Sequence, residues 1–245
     1  AIEAAAKGHR VILCEKSGEL GGALKCEKNV PFKTKIRDYI AYQIKHLEKS
    51  GAEIRLNTPV TPKLADELSP DVIIAALGAV PLMPDIPGIQ GENVYTAEEI
   101  YKNPSAAGKT VAVMGGGLVG TELAIYLAGL GRKVTIIERL PMLNSGGNVL
   151  HQLALDKEIA QRKIDLHLGS DIIEILPGGV VFSKGGEDKM LQADTVVCAL
   201  GQSPLKAEAW ALRYCAPEFH VIGDCTVPKN IMQATAMANA AVNVI

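Results

Sequence analysis

The chain has 245 residues, room for one large domain or two small ones and for a sizeable buried core. Apolar residues make up 48% and charged ones 21%, and 25 basic against 27 acidic side chains leave a net charge of -2. This excludes collagen-like, disulfide-scaffold and disordered classes and gives no global attraction to nucleic acid or an anionic membrane.

No apolar run approaches the roughly 18 residues of a spanning helix, and no basic-then-apolar leader is readable in the first residues. The five cysteines (Cys14, Cys26, Cys198, Cys215, Cys225) lack CxxC spacing, and the five histidines lack HxH or HExxH spacing. A soluble, cytoplasmic protein with reduced cysteines and no metal site is therefore expected.

In chain order, the opening residues read as a helix already under way at Ala1, so the chain is expected to be part of a longer protein. His9 to Cys14 is a strand closed by Glu15-Lys16, and Gly21-Gly22 opens a turn where backbone can lie against a large ligand. Ile36, Ile40, Ile44 and Leu47 form a helical stripe ended by Gly51. Ile54-Arg55-Leu56 is a short strand, Asp71 to Ala76 a buried one entering Leu77-Gly78, and Pro81, Pro84 and Pro87-Gly88 mark an extended linker.

Thr110 to Met114 is a strand apolar enough for burial on both faces, and it runs into Gly115-Gly116-Gly117-Leu118-Val119-Gly120. A helix is predicted over Thr121 to Leu130, ended by Gly131, followed by a strand from Lys133 to Ile137 closed by Glu138. In such a strand-turn-helix-strand unit Gly115 permits the tight turn, Gly117 lets a pyrophosphate approach the main chain, and Gly120 lets the helix pack close. The N-H groups at the helix start then meet phosphate charge. Glu138 lies 18 residues after Gly120, near the spacing at which an acid caps adenosine ribose hydroxyls. Its charge repels a 2'-phosphate and favours NADH, while the neighbouring Arg139 leaves NADPH as the alternative.

Pro177 to Gly186 holds two short stretches bounded by glycine turns and reads as a hairpin. A boundary is expected at about 207–217. Phe219 to Ile222 is a strand ending in Gly223-Asp224, where the carboxylate either meets a ribityl or ribose hydroxyl or caps the turn, and Asn230 to Ile245 is an alanine-rich helix.

One self-comparison offset, 123 residues, recurs along the chain. It lays Gly8 on Gly131, Val11 on Val134, Glu15-Lys16 on Glu138-Arg139, Ala76-Leu77-Gly78 on Ala199-Leu200-Gly201, and Pro81 on Pro204. Between those regions Ile54-Arg55-Leu56 aligns with Leu166-His167-Leu168, so the second copy carries an insertion of eleven residues, accounting for the predicted hairpin. The chain is read as a duplication of one α/β unit, with Glu15 in the position of the ribose acid. Projecting the glycine turn back places it ahead of Ala1, so the first copy is expected to lack its first strand and phosphate turn.

Glu15 with Gly21-Gly22, the two Ala-Leu-Gly segments, the glycine turn at 115 to 120 and Gly223-Asp224 together resemble the two-dinucleotide-binding-domain flavoproteins. The resemblance covers nearly the whole chain. It implies an α/β fold of two Rossmann-like lobes, FAD in a discontinuous outer lobe (1–107 and 208–245) and NAD(P)H in an inserted lobe (108–207). It implies FAD contacts at Glu15, Lys16, Gly22, Gly78, Gly223 and Asp224, and NADH contacts at Gly115, Gly117, Leu118, Val119, Gly120, Glu138, Arg139 and Gly201.

Disulfide reductases of this superfamily carry a cysteine pair after the glycine pair and a long domain after Gly-Asp. Here Cys26 stands alone near Gly22, and 21 residues follow Asp224. The stretch from Tyr42-Gln43-Ile44 to Pro59-Val60 and the linker at 84 to 88 are more similar to the C-terminal half of old-yellow-enzyme-type NADH:flavin oxidoreductases, the group of 2,4-dienoyl-CoA reductases and NADH oxidases. That resemblance implies hydride passing from NADH to FAD, then onward to FMN and a four-iron cluster in a preceding barrel, with an acceptor bound there. No acid-base catalytic residue is expected for such a transfer. Two other readings remain: a nucleotide-binding fragment without turnover, and a disulfide or peroxide reductase using Cys26.

Overall fold

The computed structural model describes residues 1–245. The chain begins α1 (Ile2–Ala6), β1 (Ile12–Cys14), α2 (Thr34–Lys49), β2 (Glu53–Arg55), α3 (Pro62–Leu68), β3 (Val72–Ala75) and β4 (Ala79–Pro81). It continues with β5 (Val94–Thr96), α4 (Ala97–Lys102), β6 (Thr110–Met114), α5 (Leu118–Gly129), β7 (Lys133–Glu138) and α6 (Val149–Gln161). Then come β8 (Asp165–Leu168), β9 (Ser170–Leu176), β10 (Gly179–Lys184), β11 (Glu187–Gln192) and β12 (Thr195–Cys198). The last elements are β13 (Gln202–Pro204), α7 (Lys206–Trp210), β14 (Glu218–Val221) and α8 (Ile231–Val242).

Two compact units result, residues 1–80 with 202–245, and residues 81–201. This division differs from the expected lobe limits of 107/108 and 207/208. The reason lies in β5, which follows the proline-rich linker and pairs with β12, so the residues from 81 onward fold with the second unit. A reciprocal cap between Thr96 and Glu99 starts α4 directly off that strand.

The second unit is built on a five-stranded parallel sheet in the order β5-β12-β6-β7-β8. Its central strands are apolar on both faces: Val111, Ala112, Val113 and Met114 are all at 2% exposure or less. One face is covered by the antiparallel meander β9-β10-β11, whose Phe182 and Val180 pack with Met114, Ile137 and Val196. The predicted hairpin at 177 to 186 is thus the middle strand of a larger structure. Its flanks, Ser170–Leu176 and Glu187–Gln192, are also extended. Helix α5 starts at Leu118, three residues earlier than predicted, because Gly117 already serves as its N-cap.

The 123-residue offset holds in three dimensions. It carries β3 onto β12, β4 onto β13, and the C-terminal end of α1 onto that of α5. The helix ends share their hydrogen bonds: Gly8 N-H donates to Ala5 O and Gly131 N-H to Ala128 O, both at 3.0 Å, while His9 and Arg132 reach Ala4 and Leu127. Parallel registers agree as well. Leu13 pairs with Ile54 and Ile136 with Leu166, so Glu15 and Glu138 stand at equivalent strand ends.

In the first unit the same frame appears as two separate two-stranded parallel sheets, β14-β3 and β1-β2. Against the order β5-β12-β6-β7-β8 they correspond to the two flanks, and no strand of the unit corresponds to β6. Burial follows. Ile12, Leu13 and Cys14 are only half-buried, whereas their counterparts Thr135, Ile136 and Ile137 are 5%, 0% and 1% exposed.

Candidate nucleotide-binding sites

In the second unit the site is the turn between β6 and α5. Gly115 adopts φ +103°, and its N-H donates to Ile137 O at 2.9 Å. A Cβ at Gly120 would lie 2.0 Å from Gly115 O, so this glycine is what lets the helix descend onto the turn. Gly117 differs: its backbone is extended (φ -66°, ψ -178°) and a Cβ there would meet no atom within 4 Å. No neighbour in the fold demands glycine at 117, so the space over it is available to a ligand.

The first intrahelical acceptor of α5 is Gly117 O, taken by Thr121 N-H at 2.9 Å. The N-H groups of Leu118, Val119 and Gly120 therefore have no intrahelical partner, and the helix presents its positive end there. The Leu118 and Val119 side chains are exposed.

Glu138, at the end of β7, folds back over the turn. One carboxylate oxygen accepts the Gly116 N-H at 2.5 Å and the other the Leu140 N-H at 2.7 Å. A carboxylate has about four lone-pair positions, so acceptor capacity remains for two hydroxyls. Asn144 N-H donates to Gly116 O at 2.7 Å and closes the outer side of the turn. Arg139 is exposed beside Glu138, and Gly201 (φ +116°) is open on its Cβ side. Ala199 N-H bonds to Met114 O at 2.9 Å, which sets the Ala199-Leu200-Gly201 segment beside the turn.

In the first unit Glu15 Oε1 accepts from both the N-H and the hydroxyl of Ser17, at 2.8 and 2.7 Å. Lys25 Nζ donates to Ser17 Oγ at 2.6 Å and to Glu19 O at 2.8 Å, giving the acid a cationic neighbour. Lys16 is exposed, and Gly22 (φ +55°) is open. At the end of β3, Gly78 (φ +80°) is also open on its Cβ side, as its counterpart Gly201 is. Its N-H donates to Cys225 Sγ at 3.0 Å, tying Gly78 to the Gly223-Asp224 corner. Burial pushes the Cys225 thiol pKa up, partly opposed by that Gly78 N-H. Asp224 Oδ1 accepts Lys229 N-H at 3.3 Å, so the aspartate caps its turn in this structure.

The structure thus gathers Gly115, Gly117, Leu118, Val119, Gly120, Glu138 and Gly201 around one turn. Glu15 and Gly22 stand with the β1-β2 pair and Gly78, Gly223 and Asp224 with the β14-β3 pair, and no hydrogen bond joins the two groups. Ser17 and Lys25 are not among the residues expected from the sequence, whereas Cys225, next to Asp224, is expected there either near a flavin or as a small packed residue. A serine two residues beyond a strand-end acid is a readable local turn signal, whereas the Cys225–Gly78 bond spans 147 residues and has none.

The pyridine nucleotide-disulphide oxidoreductase family matches residues 1–241. The chain belongs to that family. Membership implies a flavin and a nicotinamide nucleotide as cofactors, and the open space over Gly117, the unpaired helix N-H groups and the spare acceptor positions of Glu138 fit an adenosine diphosphate moiety. The family match agrees with the expected fold of Rossmann-like α/β units.

An NADH oxidase of Thermoanaerobacter brockii is 35% identical over 242 residues, covering 96% of this chain and 37% of that protein. A cinnamate reductase of Clostridium sporogenes is 33% identical over 235 residues, covering 94% of this chain and 35% of that one. Among solved structures, a 2-naphthoyl-CoA reductase superimposes with a TM-score of 0.89 at 30% identity, over 95% of this chain and 36% of that chain. The chain spans little more than a third of the length of these relatives.

Proposed function

We infer that the chain is the nucleotide-binding part of a flavin-dependent oxidoreductase that takes electrons from NADH. NADH is assigned to the second unit, at Gly115, Gly117, Leu118, Val119, Gly120, Glu138, Arg139 and Gly201. FAD is assigned to the first, at Glu15, Lys16, Gly22, Gly78, Gly223 and Asp224. The observation that carries this reading is the equivalence of Glu15 and Glu138 at strand ends related by one 123-residue offset and one strand register.

When both nucleotides are bound, NADH supplies a hydride and the flavin accepts it. The chain's own part is to bind and orient. The start of α5 holds the pyrophosphate, Glu138 accepts from the ribose hydroxyls, and its charge disfavours a 2'-phosphate, so NADH is preferred over NADPH. No side chain is assigned as an acid or base. Onward passage to FMN and a four-iron cluster in a preceding barrel rests on the resemblance, and the greater length of the relatives leaves room for such a part.

The experiment is anaerobic mixing of NADH with the whole protein loaded with FAD, following flavin absorbance. Reduction within seconds is expected, and a flavin that stays oxidised refutes the assignment. A second reading, nucleotide binding without turnover by these 245 residues alone, is favoured by the half-buried strands of the first unit. Separate titrations distinguish the two. NADH uptake without FAD uptake supports the second reading, and a chain that purifies yellow with bound flavin overturns it.

A further inference from the structure

A cavity of about 270 Å³ opens in the second unit at the amino-terminal ends of β6, β7 and β8, against β11. The dinucleotide turn leaves the carboxyl end of β6, so the cavity lies at the opposite end of the same strands. Strand register gathers its polar side chains on one face. Thr110 pairs with Lys133, Thr135 pairs with Asp165, and Lys133 and Thr135 are two apart on β7.

Three features define this cavity, in which Lys133 and Asp165 are both exposed. Thr135 is 5% exposed and lines the cavity, and no hydrogen bond within the protein engages its hydroxyl. Lys133 and Asp165 line the same cavity without forming an ion pair with each other or with any other side chain. His167 rests against the Phe182 ring at 4.5 Å. Burial, then Lys184, hold its pKa below the usual imidazole value, opposed by Asp165, so at neutral pH it offers one donor and one acceptor rather than a charge.

We propose that this cavity binds a small zwitterion, an α-amino acid, with its carboxylate at Lys133, its ammonium at Asp165 and a hydrogen bond to the Thr135 hydroxyl between them. A simple anion would face the Asp165 carboxylate and a simple cation the Lys133 ammonium; a molecule carrying both charges satisfies both ends. The volume lies just below the roughly 300 Å³ at which drug-sized pockets begin, which suits a ligand of amino-acid size, and Leu191 supplies an apolar wall for its side chain.

The test is calorimetric titration of the 245-residue chain with L-leucine, with its deaminated analogue 4-methylpentanoate and with its decarboxylated analogue 3-methylbutylamine. Saturable binding of leucine is expected, with each single-charge analogue weaker by about tenfold or more. Lys133→Met and Asp165→Asn should each weaken leucine by about tenfold, and the near-isosteric Thr135→Val by a smaller factor, while NADH titration is unchanged. Because Lys133 is exposed, Lys133→Met keeps the test decisive even if another variant fails to fold. Absence of saturable leucine binding, equal binding of either analogue, or wild-type affinity in Lys133→Met overturns the proposal. None of these outcomes depends on the nucleotide assignment.

Discussion

Two alanine substitutions three residues apart should separate folding from binding in the β6–α5 turn. At Gly120 an added Cβ would stand 2.0 Å from Gly115 O and 3.2 Å from Ala199 Cβ. Neither is the end of a flexible side chain, so helix and turn must move apart. Overpacking of this kind costs typically about 1–3 kcal/mol, and a backbone obstacle belongs at the upper end. The helix-propensity gain of alanine over glycine, about 1 kcal/mol, offsets part of it and leaves about 2 kcal/mol. At roughly 2–4 °C per kcal/mol this lowers Tm by about 4–8 °C. At Gly117 the Cβ meets nothing within 4 Å and φ is -66°, so Gly117→Ala should leave Tm unchanged within about 1 °C. The new methyl occupies the space assigned to the pyrophosphate, and NADH affinity should fall by about tenfold or more, at least about 1.4 kcal/mol. Thermal unfolding followed by circular dichroism and NADH fluorescence titration on the same samples give both quantities. A Gly117→Ala chain that binds NADH as wild type refutes the placement of the pyrophosphate, and an unshifted Tm in Gly120→Ala refutes the packing argument.

Glu138→Gln should cost NADH about tenfold in affinity while bringing NADPH closer to NADH, read as the ratio of the two dissociation constants; an unchanged ratio denies Glu138 its role in choosing the nucleotide. Phe182→Ala, which empties the most voluminous fully buried position of the second unit, should destabilise it by about 3–5 kcal/mol, measured by urea unfolding. The Cys225 pKa is raised by burial, so the thiol stays protonated in the folded state where an unfolded cysteine, with a pKa of about 8.5, would ionise. Its contribution to stability is then complete below that pH and declines as pH rises through the folded value. Urea midpoints at pH 7 and pH 9.5 should show a loss that Cys225→Ala diminishes.

What the sequence made legible was whatever depends on local periodicity and glycine placement. The strand at Thr110 to Met114 appears with the predicted limits, and the Ile36, Ile40, Ile44, Leu47 stripe lies on α2. Glycines at 8 and 131 end helices through identical bonds because a left-handed residue after a helix is a local requirement. Other features depended on distant partners. The sequence signals only the central hairpin of the meander, because Glu187 to Gln192 is mostly exposed and polar and becomes a strand only through pairing with β10. The division into units falls at 80/81 because β5, three residues long, gains its place from β12, a hundred residues away. The hydrogen bonds of Glu138 to two backbone N-H groups likewise follow from the fold-back of the turn, which spacing alone does not specify.

The two units share a frame but differ in burial. A parallel sheet with both faces covered leaves its central strands almost no contact with water, as β6 and β12 show. In the first unit β1 and β3 occupy the places next to such a centre, yet each is paired on one side only, and all their residues except Ala75 remain half-buried. The carboxylate of Glu138 is steadied by an N-H from the turn that follows the central strand, whereas Glu15 is steadied by Ser17 in its own loop. The acid is therefore positioned by the strand that carries it in both units. Glu15 and Glu138 thus share a strand-end position while differing in the groups that hold them.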